Sequence, residues 1–113
     1  MYQVRETNEF AAWLLAVRDP RARAKIAVRI DRLAQGNSGD SKSVGDGVSE
    51  MRIDYGPGYR VYYTLAGEVI VLLLSGGTKK TQPRDVAAAK LMRRRLANEG
   101  SGYENQAAGD AAI

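Results

Sequence analysis

Two arginines on a predicted β-hairpin have the clearest potential for chemistry. Residues 48–54 and 59–65 both alternate between apolar and polar side chains, and Gly56-Pro57-Gly58 between them predicts a three-residue loop. A two-residue loop would push polar groups into the core, so the hydrophobic pattern favours the longer loop. In this register Arg52 and Arg60 lie on the same polar face of the sheet, where they could bind an anion together.

The same register assigns the other side chains of the hairpin to its two faces. Tyr55 is predicted to face Tyr59, and Arg52 to face Tyr62. A cross-strand salt bridge with Asp54 would explain the presence of Arg60 on this face, but it would not explain that of Arg52. The apolar face is predicted to hold Met51, Ile53, Val61 and Tyr63, and the polar face Arg52, Asp54, Arg60 and Tyr62.

Two amphipathic helices precede the hairpin. Residues 1–6 weakly indicate a short strand, Thr7 can cap the first helix, and Asp19-Pro20 marks the start of the second. Residues 37–47, rich in Gly, Ser and Asp, are predicted to form a loop. The apolar stripes of the two helices are Phe10, Trp13, Leu14 and Val17, and then Ala22, Ile26, Ile30 and Leu33.

A third strand and a last helix complete the predicted domain. Residues 69–74 are continuously apolar, which is typical of a central strand covered on both faces. Gln82 or Thr81 can cap the last helix, with Asp85 in its first turn. The element order is therefore β-α-α-β-β-β-α, an α+β domain with a small, mainly antiparallel sheet on which a helical hairpin and a C-terminal helix pack. The inner face of the last helix is predicted to hold Ala89, Met92 and Leu96, and a basic outer face Lys90, Arg93 and Arg94.

Composition narrows the classes of function. The 113 residues include no Cys and no His, which excludes disulfides, thiolate metal sites and a Ser-His-Asp triad. No apolar run is long enough to span a membrane and no signal peptide is evident, so we expect a cytoplasmic protein. Residues 99–113 carry only acidic charges and little to bury, and we predict a disordered tail after a domain of residues 1–98. Because the net charge is +4 and the tail contributes −3, the domain carries +7, which favours polyanionic partners.

The sequence resembles the RelE/ParE superfamily of bacterial toxins from type II toxin–antitoxin modules, most closely the HigB-like branch of addiction-module killer proteins. The resemblance covers about residues 2–97, and its most specific part is a Gly-Tyr-Arg-Val-Tyr strand followed by a Gly-Gly-x-Lys-Lys turn. The stretches that carry it are residues 10–14, 18–19, 24–26, 29–33, 36–40, 45–52, 55–62 and 72–82.

The resemblance implies a RelE-like fold and a ribosome-dependent mRNA endonuclease. In such toxins the RNA 2′-hydroxyl attacks the adjacent phosphate without a metal or cofactor, leaving a 2′,3′-cyclic phosphate and a 5′-hydroxyl. The arginine that stabilises the phosphate would be Arg60, with Arg52 on the preceding strand and Lys79 and Lys80 after the last strand as the other catalytic residues. The implied partners are a helix-turn-helix antitoxin, mRNA on the ribosome and, through the antitoxin complex, operator DNA.

Proton transfer needs other groups because histidine is absent. A lysine crowded by cations can act as a base, so Lys79 or Lys80 is a candidate. No Tyr or His stands where related toxins carry a general acid, and Asp85 in that region equally suits the helix dipole. The residues predicted to bind RNA are Tyr62, Tyr55, Lys90, Arg93 and Arg94.

Two other functions remain open from the sequence. One is a ParE-like inhibitor of DNA gyrase, although that branch generally lacks the full basic cluster. The other is a non-catalytic module that binds an antitoxin, which the missing histidine would favour.

Overall fold

Helices cover both faces of a single five-stranded sheet. The structure is a computed structural model in which residues 1–98 are described. A one-turn 3₁₀ helix, Lys79–Thr81, joins the last strand to the last helix. In chain order the elements are β1 (Gln3–Glu6), α1 (Asn8–Ala16), α2 (Pro20–Ala34), β2 (Ser41–Gly45), β3 (Val48–Ile53), β4 (Tyr59–Ala66), β5 (Ile70–Thr78) and α3 (Gln82–Asn98).

The sheet has the strand order β1-β5-β4-β3-β2. β1 pairs with β5 in parallel, and the other neighbours are antiparallel. The α+β class and the mainly antiparallel sheet are thus confirmed. So is the central place of the apolar strand, because β5 has a strand on each side and is buried from Ile70 to Leu74.

Two hydrophobic cores lie on opposite faces of this sheet. On one face the predicted stripes of α1 and α2 pack against Met51, Ile53, Val61 and Tyr63. On the other face α3 lays Val86, Ala89, Met92 and Leu96 over a second set of strand residues. That second set consists of Val48, Tyr62, Leu72 and Leu74.

The prediction of a loop over residues 37–47 was wrong, because β2 forms there. Val44 is its only large apolar residue and it lies at the sheet edge, so it shows no run of apolar side chains. The turn that joins it to β3 contains Asp46 and Gly47, both with positive φ. An Asp-Gly pair is a strong hairpin signal, and it was the feature that could have revealed β2.

A bulge shapes the end of β5 that leads to the 3₁₀ helix. The register between β4 and β5 shifts between Tyr62 and Tyr63, which leaves Leu74 as an extra residue on β5. Thr7 stabilises it: its hydroxyl donates to the Leu74 carbonyl at 2.7 Å and accepts from the Phe10 amide at 3.0 Å, capping α1. The bulge and the cap of α1 therefore depend on one buried side chain.

Two observations bear on the wider predictions. Among residues 1–98, no helix is long and apolar enough to cross a membrane. The predicted disordered tail, residues 99–113, lies outside the described residues.

Candidate functional site

The β3–β4 hairpin brings the two arginines closer together than predicted. Arg52 pairs directly with Arg60, and Ile53 with Tyr59, so residues 54–58 form a five-residue connection. The predicted three-residue loop, with Arg52 opposite Tyr62, was wrong by two residues of register. Because side chains alternate with a period of two, this slip left the residues of the two strands on their predicted faces, whereas Asp54 lies in the connection.

An open hollow of about 340 Å³ lies at this end of the sheet. Arg52 comes from β3, Arg60 from β4, and Lys79 from the 3₁₀ helix after β5. Like charges directly opposite each other destabilise a sheet, so this clustering of cations has an energetic cost and suggests a functional role. The lining residues are Asp40, Arg52, Asp54, Gly58, Arg60 and Lys79.

Gly58 fixes where the 3₁₀ helix meets the hairpin. Its carbonyl accepts a hydrogen bond from the Lys79 amide at 2.8 Å. Its φ of +80° is unfavourable for other residues, and a Cβ here would lie only 3.2 Å from Lys79 Cβ. This glycine thus allows Lys79 to sit at the rim of the hollow.

Arg52 is held by an exposed carboxylate. Asp40 Oδ1 accepts from Arg52 Nη2 at 2.7 Å and from Nε at 3.2 Å. The two side chains are 38% and 53% exposed, so the pair contributes at most about 1 kcal/mol. Arg29 of α2 supports the same corner by donating to the Arg52 carbonyl at 2.5 Å. An incoming phosphate can therefore displace Asp40 at low cost while the backbone stays in place.

Arg60 is held by a buried carboxylate that the sequence analysis did not identify. Glu50 is fully buried, and its Oε2 lies 4.0 Å from Arg60 Nε. The same oxygen accepts from the Tyr62 hydroxyl at 3.1 Å and from Gln82 Nε2 at 2.8 Å. Within the described chain, Glu50 Oε1 and Arg60 Nε have no hydrogen-bond partner. Arg60 is therefore anchored from behind by a charge that α3 covers.

The prediction that Tyr62 binds RNA was wrong, because this side chain is fully buried under α3. Burial, together with the nearby Glu50 carboxylate, raises the pKa of the Tyr62 phenol far above its usual value. The phenol therefore stays protonated and donates to Glu50. Tyr59 and Tyr63, in contrast, pack on the α1–α2 face, as alternation predicts.

Tyr55 packs against α2 and does not line the hollow. Its hydroxyl donates to Asp19 Oδ2 at 2.9 Å, and Lys25 Nζ lies 5.2 Å from the centre of its ring. This hydrogen bond lowers the pKa of the Asp19 carboxyl and raises that of the Tyr55 phenol. Binding of RNA by Tyr55 stays a prediction.

The basic residues of α3 are not grouped with the hollow. Arg93 Nε donates to Thr64 Oγ1 at 3.0 Å, and Lys90 Nζ lies 4.0 Å from Asp46 in the β2–β3 turn. That turn is at the far end of β3 from Arg52, and of the three basic residues only Arg94 is exposed, while Lys90 and Arg93 are half-buried. Binding of RNA by these residues stays a prediction. Lys80 is also exposed, but it does not line the hollow.

Asp85 lies in the first turn of α3, over the backbone of β5. Its carboxylate accepts a short hydrogen bond from Thr81 Oγ1. A Cβ at Gly77 would collide with this carboxylate, so a larger residue here would force Asp85 to move. Asp85 does not line the hollow. These contacts favour the structural role for Asp85 over that of a general acid.

Within the described part, no three His, Cys, Asp or Glu side chains are placed to hold a metal ion together.

Comparison with known proteins shows the family to which the chain belongs. A protein of Haemophilus influenzae (strain Rd), described as an uncharacterized protein, is 50% identical over 94 residues, which cover 83% of this chain and 95% of the relative. Residues 12–97 match the family described as phage-derived protein Gp49-like (DUF891), which is one of the RelE- and HigB-like type II toxin families. The chain belongs to the phage-derived Gp49-like family.

Proposed function

We propose that this protein is the toxin of a type II toxin–antitoxin pair and that it cleaves mRNA on the ribosome. The observation that carries the proposal is the convergence of Arg52, Arg60 and Lys79 on one open hollow. Three cations around a space of about 340 Å³ suit a phosphodiester whose charge increases during reaction.

The proposed reaction needs no group beyond the RNA and the protein. The 2′-oxygen forms a bond to the adjacent phosphorus while its proton leaves to a base, and the bond from phosphorus to the 5′-oxygen breaks. The 5′-oxygen takes up a proton from the solvent and the base returns its own proton to the solvent, so the products are a 2′,3′-cyclic phosphate and a 5′-hydroxyl. Lys79 is better placed than Lys80 to accept the first proton, because only Lys79 lines the hollow.

Arg60 is the central residue of this proposal. Glu50 holds its Nε side from within the protein, which leaves the outer nitrogens of the guanidinium for the phosphate. A positioned donor of this kind typically accelerates a reaction by about 10² to 10³, or roughly 3–4 kcal/mol of barrier. Arg52 would join it after exchanging the weak Asp40 contact for a phosphate oxygen.

Membership of this family supports the proposal that the toxin has a protein partner. Membership of the Gp49-like family suggests that an antitoxin neutralises the protein. By resemblance we expect a helix-turn-helix antitoxin that binds operator DNA together with the toxin, and action in the cytoplasm, where ribosomes are.

Mapping of message ends after induced expression tests the proposal. We expect growth arrest and new ends inside translated frames, with 5′-hydroxyl termini. Arg60→Ala should abolish both, whereas Arg95→Ala, which removes an exposed cation of α3, should abolish neither. Intact messages with blocked DNA supercoiling would select a gyrase inhibitor instead. Expression without arrest or cleavage would select a non-catalytic antitoxin-binding module.

A further inference from the structure

A basic groove runs beside the hollow, between α2 and the end of β3. Its volume is about 400 Å³. Asp54 lines both this groove and the hollow, so the two spaces are neighbours. The residues that line the groove are Ala24, Lys25, Val28, Arg29, Arg32, Ile53 and Asp54.

Two exposed cations of this groove, Lys25 and Arg32, belong to a basic stripe along one face of α2 that begins at Arg21, outside the groove. Arg21, Lys25 and Arg32 are exposed and recur at intervals of four and seven residues, which places them in one stripe. From the first to the last, the stripe is about 16 Å long at 1.5 Å per residue. The half-buried Arg29 lies between them and bonds to the Ser38 and Asp40 carbonyls at 3.3 Å. The groove therefore has a fixed wall and exposed cations along it.

We propose that this groove binds the phosphate backbone of single-stranded RNA next to the nucleotides in the hollow. The inference rests on the proposed function, since it extends the path of the same RNA. Six cationic side chains line the two spaces, against the lining carboxylates of Asp40 and Asp54 and the buried carboxylate of Glu50 behind Arg60. A strand that leaves the hollow past Asp54 would next meet Lys25, beside the Tyr55 ring.

The chemistry of the groove favours RNA over a protein partner. Val28 is its one exposed large apolar side chain, and protein interfaces usually have a larger apolar centre. The apolar surface of α1 and α2 lies elsewhere, in a hollow of about 700 Å³ lined by Leu14 and Leu15. In this groove the three basic side chains of Lys25, Arg29 and Arg32 surround a small apolar floor, and such a majority of basic groups is typical of phosphate-backbone contacts.

The test measures binding of a 12-nucleotide, fully 2′-O-methylated RNA, which lacks the attacking hydroxyl, by fluorescence anisotropy at several salt concentrations. The variant is Lys25→Gln/Arg32→Gln. The matched control is Arg18→Gln/Arg23→Gln, which removes the same charge from exposed positions outside the groove. Losing two phosphate contacts should reduce the slope of log K against log salt by about 1.4, because each contact contributes about 0.7 for a single strand. Raising the salt from about 50 to about 200 mM should then weaken the variant about sevenfold less than the wild type.

Three outcomes would overturn the inference. One is an equal loss of slope in both double variants, which would indicate charge alone. Another is an unchanged slope in the groove variant. The third is a groove variant that binds RNA as the wild type does but no longer binds a polyglutamate peptide, which would indicate that the groove binds an acidic protein segment. Failure of the proposed function can be distinguished from failure of this inference. In that case the wild-type protein would bind RNA through Lys25 and Arg32 but would not cleave message on the ribosome.

Discussion

Replacing Arg60 should destabilise the fold as well as remove a phosphate ligand. Glu50 has no exposed surface, and Arg60 is the cation 4.0 Å from its carboxylate, itself only 12% exposed. Removing one partner of a buried ion pair costs about 3–5 kcal/mol. The separation is at the long end for an ion pair, and hydrogen bonds from Tyr62 and Gln82 remain, so we expect about 3 kcal/mol for Arg60→Ala.

A double-mutant cycle isolates this effect. In Glu50→Gln the amide oxygen can still accept from Tyr62 and Gln82, and the buried negative charge is gone, while Arg60 keeps its own charge at 12% exposure. Arg60→Ala should then cost about 1 kcal/mol in the Glu50→Gln background, which gives a coupling energy of about 2 kcal/mol. Arg52→Ala is the control, because its exposed pair with Asp40 contributes at most about 1 kcal/mol.

Urea unfolding followed by fluorescence measures these free energies. Trp13 is the only tryptophan, and it packs against β5 at Gly76, so its emission reports the core. A loss of unfolding free energy in Arg60→Ala no larger than that in Arg52→Ala would refute the buried ion pair. It is equally refuted if the effects of the changes at positions 50 and 60 simply add.

Other changes test the elements that position the site. In Gly76→Ala the added methyl group would overlap the Trp13 ring, so the free energy of unfolding measured in urea should fall by at least about 2 kcal/mol. An unchanged urea midpoint would contradict this packing. Thr7→Ala removes both the α1 cap and the bond to the β5 bulge, so a loss of about 2 kcal/mol is expected, and a loss below 0.5 kcal/mol would contradict this dual role. The folded-state pKa of Asp19 lies below its usual 3.8, so the stability from its Tyr55 bond is present above about pH 4 and is lost as pH falls through the folded pKa. Tyr55→Phe should therefore bring the Asp19 pKa, followed by NMR, back towards its usual value, and an unmoved pKa would rule out this cause.

The helices and the central strand could be predicted because the spacing of their apolar residues fits only one type of secondary structure. Phe10 and Ile26 recur with their neighbours at helical intervals and lie in the core as expected. Val71 and Leu72 belong to a continuous apolar run and are buried on both faces of the sheet. Where a pattern is both long and apolar, burial decides the local structure.

The missed features depend on contacts that spacing does not encode. β2 is held by pairing with β3 rather than by its own side chains, and its one strong signal was the turn at Asp46. The buried state of Tyr62 follows from α3, because alternation assigns a residue to a face but does not say whether a helix covers it. A glutamate in a strand is usually solvated, so Glu50 gave no sign that Gln82 would close over it.

The central claim is that Arg60 stabilises a reacting phosphate in the hollow. Its most direct test is the single-turnover cleavage rate of ribosome-bound message, with Glu50→Gln/Arg60→Ala compared against Glu50→Gln at matched folded fractions. The account predicts a rate about 10² to 10³ lower in the double variant, with 5′-hydroxyl ends in the products that remain. Equal rates in the two variants would contradict it.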